Sequence, residues 1–152
     1  NDSAGFTVTE SSGSTGVSES GSTDTFTVVL TAEPASDVVI SVTSGDTGEA
    51  TVSASSLTFT TGNWDSAQTI TVTGVNDDII DGSQDTTITM AVVDGSSDNN
   101  FDPLANQTVT AATADNDSAG FTKSKSTVSV SETGTTETFT VVLNVQPASD
   151  VV

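Results

Sequence analysis

The chain has 152 residues, no Cys, no His, no Arg, two lysines (Lys123 and Lys125) and 21 acidic residues, for a net charge of -19. Disulfide staples and Cys or His zinc sites are excluded without those residues, and with two lysines nucleic acid is not an expected partner. No apolar run approaches the roughly 18 residues of a membrane span, and no basic segment leads into an apolar one as in a signal peptide. A soluble fragment without direct membrane insertion is expected, any targeting signal lying outside it. Two like charges about 4 Å apart repel by roughly 4 kcal/mol at an effective dielectric near 20. Wherever the acids cluster, a cation from solution should sit among them.

Apolar residues alternate along the chain with the period of two that marks half-buried strands. Phe6 to Thr9 is a first short strand, a Ser/Gly link follows, and Val17 marks a second short segment. Thr23 to Leu30 places Phe26, Val28 and Leu30 on one face with threonines between them. Glu33-Pro34-Ala35-Ser36-Asp37 reads as a turn, Pro pre-setting the backbone angle and Ser and Asp bonding locally. Val38 to Thr43 is the next strand, and 50 to 60 reads as two short strands or one kinked one. Gln68 to Val75, Thr86 to Val93 and Gln107 to Thr113 complete the set, with the acidic run 76–82 and a long loop, 94–106, between them. No stretch has helical periodicity. About seven strands at this spacing predict an all-β, antiparallel, immunoglobulin-like β-sandwich.

The chain repeats itself. Asn1-Asp2-Ser3-Ala4-Gly5-Phe6 returns at 116–121, Thr25 to Leu30 at 138–143, and Pro34 to Val39 at 147–152. Phe6 and Phe121 lie 115 residues apart, and Phe26 and Phe139 lie 113 apart, so the first copy carries a short insertion between those anchors. A repeat of that length is a domain, well beyond the roughly 20 to 50 residues of a solenoid unit. The expected organisation is a sandwich over 1–117 and an incomplete second repeat over 118–152. A few strands cannot close a sandwich alone, so 118–152 should pack on the first domain's end or form an incompletely filled sheet.

Asp115 and Asp117 leave the last strand at one end of the expected sandwich, and the loop carrying Asp77, Asp78 and Asp81 should open at the same end if the strand count is right, although spacing alone does not show convergence. Ca²⁺ takes six to eight oxygens from carboxylates, carbonyls and water, which short acidic loops supply. Asp115 to Ser126 is not an EF-hand loop, since Ser126 stands where the bidentate Glu is required.

These segments resemble the Calx-beta domain, known from the regulatory region of sodium/calcium exchangers and from large bacterial repeat proteins. The resemblance rests on Val17-Ser18-Glu19 before the strand Thr25 to Leu30, on Asn76-Asp77 followed by Asp81-Gly82, and on Asp115-Asn116-Asp117-Ser118-Ala119-Gly120. It implies Ca²⁺ sites at the end of the sandwich where the next domain begins. Carried over by motif, it implies Glu19, Glu49, Asp77, Asp81, Asp115 and Asp117 as ligands, with Asp78 beside them in the same loop and Asp46 competing with Glu49. At least one site is implied, with room for two. Asn116 stands where some members have a carboxylate, and Asp81 where a glutamate is usual. Glu132 and Asp2 match Glu19 and Asp117 but have no complete partner set within this chain.

Other readings stand beside this one. Asp94, Asp98 and Asp102 fit ordinary loop chemistry, Trp64 fits packing better than sugar stacking, and the Asn-X-Ser/Thr patterns matter only in a eukaryotic secretory pathway. No catalytic set is present, so an enzyme is not expected. The expectation is a calcium-binding structural or extender module of a secreted or cell-surface adhesin-type repeat protein, with neighbouring repeats of the same chain as partners and Ca²⁺ rigidifying the junction. The alternative is a carbohydrate- or host-surface-binding module.

Overall fold

A computed structural model describes residues 2–152, and among them every regular element is a strand. The chain divides into two compact units, Asn1–Asp77 with Gly82–Asp115, and Asp78–Asp81 with Asn116–Val152.

The first unit is a β-sandwich of nine strands: β1 (Phe6–Glu10), β2 (Thr15–Ser18), β3 (Thr23–Leu30), β4 (Val38–Ser44), β5 (Ala50–Val52), β6 (Ser56–Phe59), β7 (Gln68–Gly74), β8 (Gln84–Val92) and β9 (Gln107–Ala114). One sheet has the order β1-β3-β7-β5 and the other β2-β9-β8-β4-β6. Nine strands arise from seven passes of the chain, because two passes change sheets midway. After β1 pairs with β3, the chain keeps its direction through a short turn and continues as β2 in the opposite sheet. That retained direction explains the one departure from the antiparallel expectation, since β2 runs parallel to β9.

The stretch read as two short strands or one kinked strand behaves in the same way. Ser53 N still donates to Thr71 O in one sheet, while Ser55 O accepts from Val42 N in the other. β5 therefore pairs with β7 and β6 with β4. Strands that switch sheets build the corners of a sandwich and cover its open sides.

The alternating faces meet between the sheets. Phe26, Val28 and Leu30 of β3 and Ile70 and Val72 of β7 face Ile40 and Val42 of β4 and Ile88 and Met90 of β8, all of them buried. Fully burying one such side chain contributes roughly 1.5 to 3 kcal/mol, so these nine make the sheet-to-sheet seam the main stabilising feature. The 94–106 loop is tied to the same core by Phe101, and the Asp98 carboxylate accepts bonds from Ala35 N (2.6 Å) and Ser36 N (3.2 Å).

The second unit contains a two-stranded sheet, β10 (Phe121–Lys123) and β11 (Val141–Leu143), paired antiparallel with Phe121 opposite Leu143. This repeats the register in which Phe6 faces Leu30. The burial differs completely. Phe26 is fully buried and its counterpart Phe139 is 54% exposed, while Phe6 at 6% corresponds to Phe121 at 65%. The second unit has the local pairing of the first repeat but not the opposing sheet that would cover it. Lys125 pairs with Glu137 at 2.5 Å, and the ammonium beside it holds the Glu137 carboxyl below its ordinary value.

Candidate metal centre

The strand directions of the first unit bring five chain segments to one end. β2, β7 and β9 finish there, and β5 and β8 begin there. Backbone bonds hold these ends together. Glu19 N donates to Ala114 O (3.1 Å), Gly74 N to Ser22 O (3.1 Å), and Val75 N to Glu49 O (2.9 Å). The Glu49 carbonyl also accepts from the Thr113 hydroxyl (3.2 Å). Gly82 N donates to the Asp115 carboxylate (2.9 Å), so Asp115 closes the return of the acidic loop onto β9. Gly82 has a φ of 75°, a conformation that glycine adopts without a Cβ penalty.

Glu19, Asp77 and Asp117 each present a carboxylate oxygen, and the three oxygens lie within 4.8 Å of one another. Glu49, Asp77 and Asp81 form a second such trio. Asp77 is common to both. Glu19 is only 2% exposed, at a strand end where the chain would otherwise bury an apolar residue. Two ionised carboxylates at 4.8 Å repel by roughly 3 to 4 kcal/mol at an effective dielectric near 20. Residues 1–122 contain no Lys, Arg or His, so cationic side chains of the first repeat cannot offset that repulsion.

The donor set suits a hard, oxygen-seeking cation. All five trio residues are carboxylates, and Ca²⁺ accepts mono- or bidentate carboxylates in irregular geometry, with carbonyls and water completing six to eight positions. A soft transition metal would want imidazole or thiolate, which this chain lacks altogether.

Of the residues singled out from sequence, Glu19, Glu49, Asp77, Asp81 and Asp117 fall into the trios, while Asp78 and Asp115 lie outside them. Asp78 is exposed, and Asp115 accepts the Gly82 amide. Between Asp46 and Glu49 the structure places Glu49 in the cluster. Asp46 instead closes its own turn, its carboxylate accepting from Gly48 N at 2.8 Å. Thr113, which pins the Glu49 backbone, was not among the sequence candidates. The available signal was a polar residue on the inward register of β9, two positions after Ala111, which in turn follows Val109 by two. Trp64 is half-buried against the core and its carbonyl accepts from Leu30 N, which makes it a packing residue.

At the opposite end, two carboxyls of the long loop titrate away from their ordinary range in opposite directions. The Asn100 and Ala35 backbone amides hold Asp98 below it, against the effect of its burial. Burial first, and then the charge of Asp94 and a hydrogen bond with it, push Asp102 up.

No family model matches the chain, and no curated protein matches it in sequence. Among solved structures, the apo form of the Calx CBD1 domain superposes with a TM-score of 0.51 at 15% identity, covering 74% of this chain and 98% of that one. The CBD12 pair from CALX1.2 gives 0.45 at 16% identity over 82% and 51%. The Escherichia coli chaperone DraB gives 0.47 at 8% identity over 72% and 54%. The first of these shows the fold: an immunoglobulin-like β-sandwich of Calx-beta type.

Proposed function

We propose that this chain is a calcium-binding extender module of a secreted or cell-surface repeat protein of the adhesin type. The observation that carries the reading is the pair of carboxylate trios sharing Asp77. When bound, Ca²⁺ supplies positive charge that cancels the mutual repulsion of these acids. Glu19, Glu49 and Asp77 all belong to the first unit, at chain ends that backbone bonds hold together. A bound cation would draw these carboxylates together, and without one they would repel. Extracellular sites bind in the range of about 0.1 to 1 mM, so external calcium would fill them and cytosolic calcium would not. Tandem repetition of whole segments favours a spacer, which gains length with copy number.

Calorimetric titration of the 152-residue chain with Ca²⁺, and thermal unfolding with millimolar Ca²⁺ or excess chelator, test the reading. Saturable binding with a calcium-dependent rise in midpoint, lost in Asp77→Ala, is expected. A midpoint that ignores calcium would reduce the acids to a solvated surface.

A further inference from the structure

The acidic run between β7 and β8 contains one apolar feature that the metal reading does not use. Ile79 and Ile80 stand between Asp77-Asp78 and Asp81, and are 43% and 48% exposed. Both belong to the second unit. They line a groove of about 400 Å³ with Phe121, Leu143, Val145 and Pro147, and Gln146 N donates to Asp78 O at 2.8 Å. One backbone bond and two branched side chains hold the loop against the second repeat's first strands.

The first unit has a cleft at the corresponding address. The repeat offsets map Ala119 onto Ala4, Val145 onto Ala32 and Gln146 onto Glu33. In the first unit these three residues, with Phe101, Pro103 and Leu104, line a cleft of about 560 Å³. The sandwich's own 94–106 loop supplies apolar Phe101, Pro103 and Leu104 to this lining, beside polar Asp98 and Asn100.

We propose that the Asp78–Asp81 loop is an apolar latch, and that the Ala4–Ala32–Leu104 cleft receives the same loop from another repeat. Repeats then engage through insertion of Ile79 and Ile80 as well as through metal. The calcium reading enters only in that its ligands Asp77 and Asp81 would clamp the two ends of the latch. Both rims are acidic, with Asp78 and Asp81 on the loop and Asp2, Glu33 and Asp98 at the cleft. Screening by salt therefore strengthens the latch, opposite to the behaviour of a salt bridge.

Two measurements on the full chain test it. In Ile79→Ser/Ile80→Ser, amide exchange at Gln146 should rise by about tenfold, since its protection depends on local docking, while Ile79→Val/Ile80→Val keeps the protection. Unchanged Gln146 exchange in the serine variant would overturn the latch. A parent that binds no calcium but loses Gln146 protection on serine substitution would retire the calcium reading and leave the latch standing. A peptide of residues 76–83, titrated onto the chain, should shift resonances of Ala4, Ala32 and Leu104, more so at higher salt. No shift, or equal shifts from the serine peptide, would overturn the receptor cleft.

Discussion

A Cβ placed on Gly74 would lie 2.2 Å from the Ser18 carbonyl oxygen, so the end of β7 passes the end of β2 at a separation only glycine permits. Three residues later the chain reaches Asp77, and one residue after Ser18 stands Glu19. The close approach of two backbones from opposite sheets is what sets these two carboxylates side by side.

Gly74→Ala should therefore damage stability and metal binding together. Overpacking against a backbone oxygen is expected to cost about 2 to 3 kcal/mol, read from urea unfolding. A calcium titration of the same variant should show weakened affinity, whereas Gly16→Ala, where an added Cβ meets open space, should leave it unaltered.

Asp77 belongs to both trios, and its substitution should change sign with calcium. Without metal, Asp77→Asn relieves like-charge repulsion and raises the unfolding midpoint. With calcium at one hundred times the dissociation constant, each lost site removes about 2.7 kcal/mol, and the midpoint falls below that of the parent. Glu49→Gln should remove one site and leave the other. Differential scanning calorimetry in chelator and in calcium reads both signs, and a midpoint that moves the same way in each condition would contradict the shared-ligand assignment.

The long-loop carboxyls make an acid limb independent of metal. Asp98 has a depressed folded pKa, so its stabilising effect is complete above the unfolded value near 3.9 and is lost as pH falls through the lower folded one. Asp102 has a raised folded pKa, so the fold favours its protonated form and stability is lost as pH rises through that value. In chelator, Asp98→Asn should lower the neutral-pH midpoint and flatten the acid limb. Asp102→Asn should raise the neutral-pH midpoint and change little in acid. Midpoints collected between about pH 3 and 7 separate the two.

Phe26 and Phe139 occupy the same hexapeptide, Thr-Phe-Thr-Val-Val-Leu, with opposite burial. Phe26→Ala should destabilise the first sandwich by about 3 to 5 kcal/mol, whereas Phe139→Ala should leave its unfolding transition in place. Exposed Phe121, Phe139 and Leu143 also predict concentration-dependent association of the chain. Sedimentation velocity should show that association weakening in Phe139→Glu.

The strands were legible because burial of one face enforces a period of two; the sandwich has nine where about seven were expected, because two passes of the chain are each divided between sheets. The 50–60 segment stayed ambiguous because a strand that changes sheets keeps its direction and alternation; only its hydrogen-bond partners change, at Ser53 and Ser55. Competition between Asp46 and Glu49 had the same origin. Both are acids three residues apart in one turn, and the bonds from Val75 and Thr113 to the Glu49 backbone decide which faces Asp77.

Sequence alone determined the composition of the cluster: a repeat without cationic residues, acids at the strand ends, and alternation sufficient for a sandwich. These follow from local chemistry and can be read residue by residue. Only the tertiary structure decided that Glu19 and Glu49, 30 residues apart and on different strands, each come within 4.8 Å of Asp77. That proximity depends on sheet order and on the Gly74–Ser18 approach, which are properties of the packed sandwich, set by burial of its two inner faces.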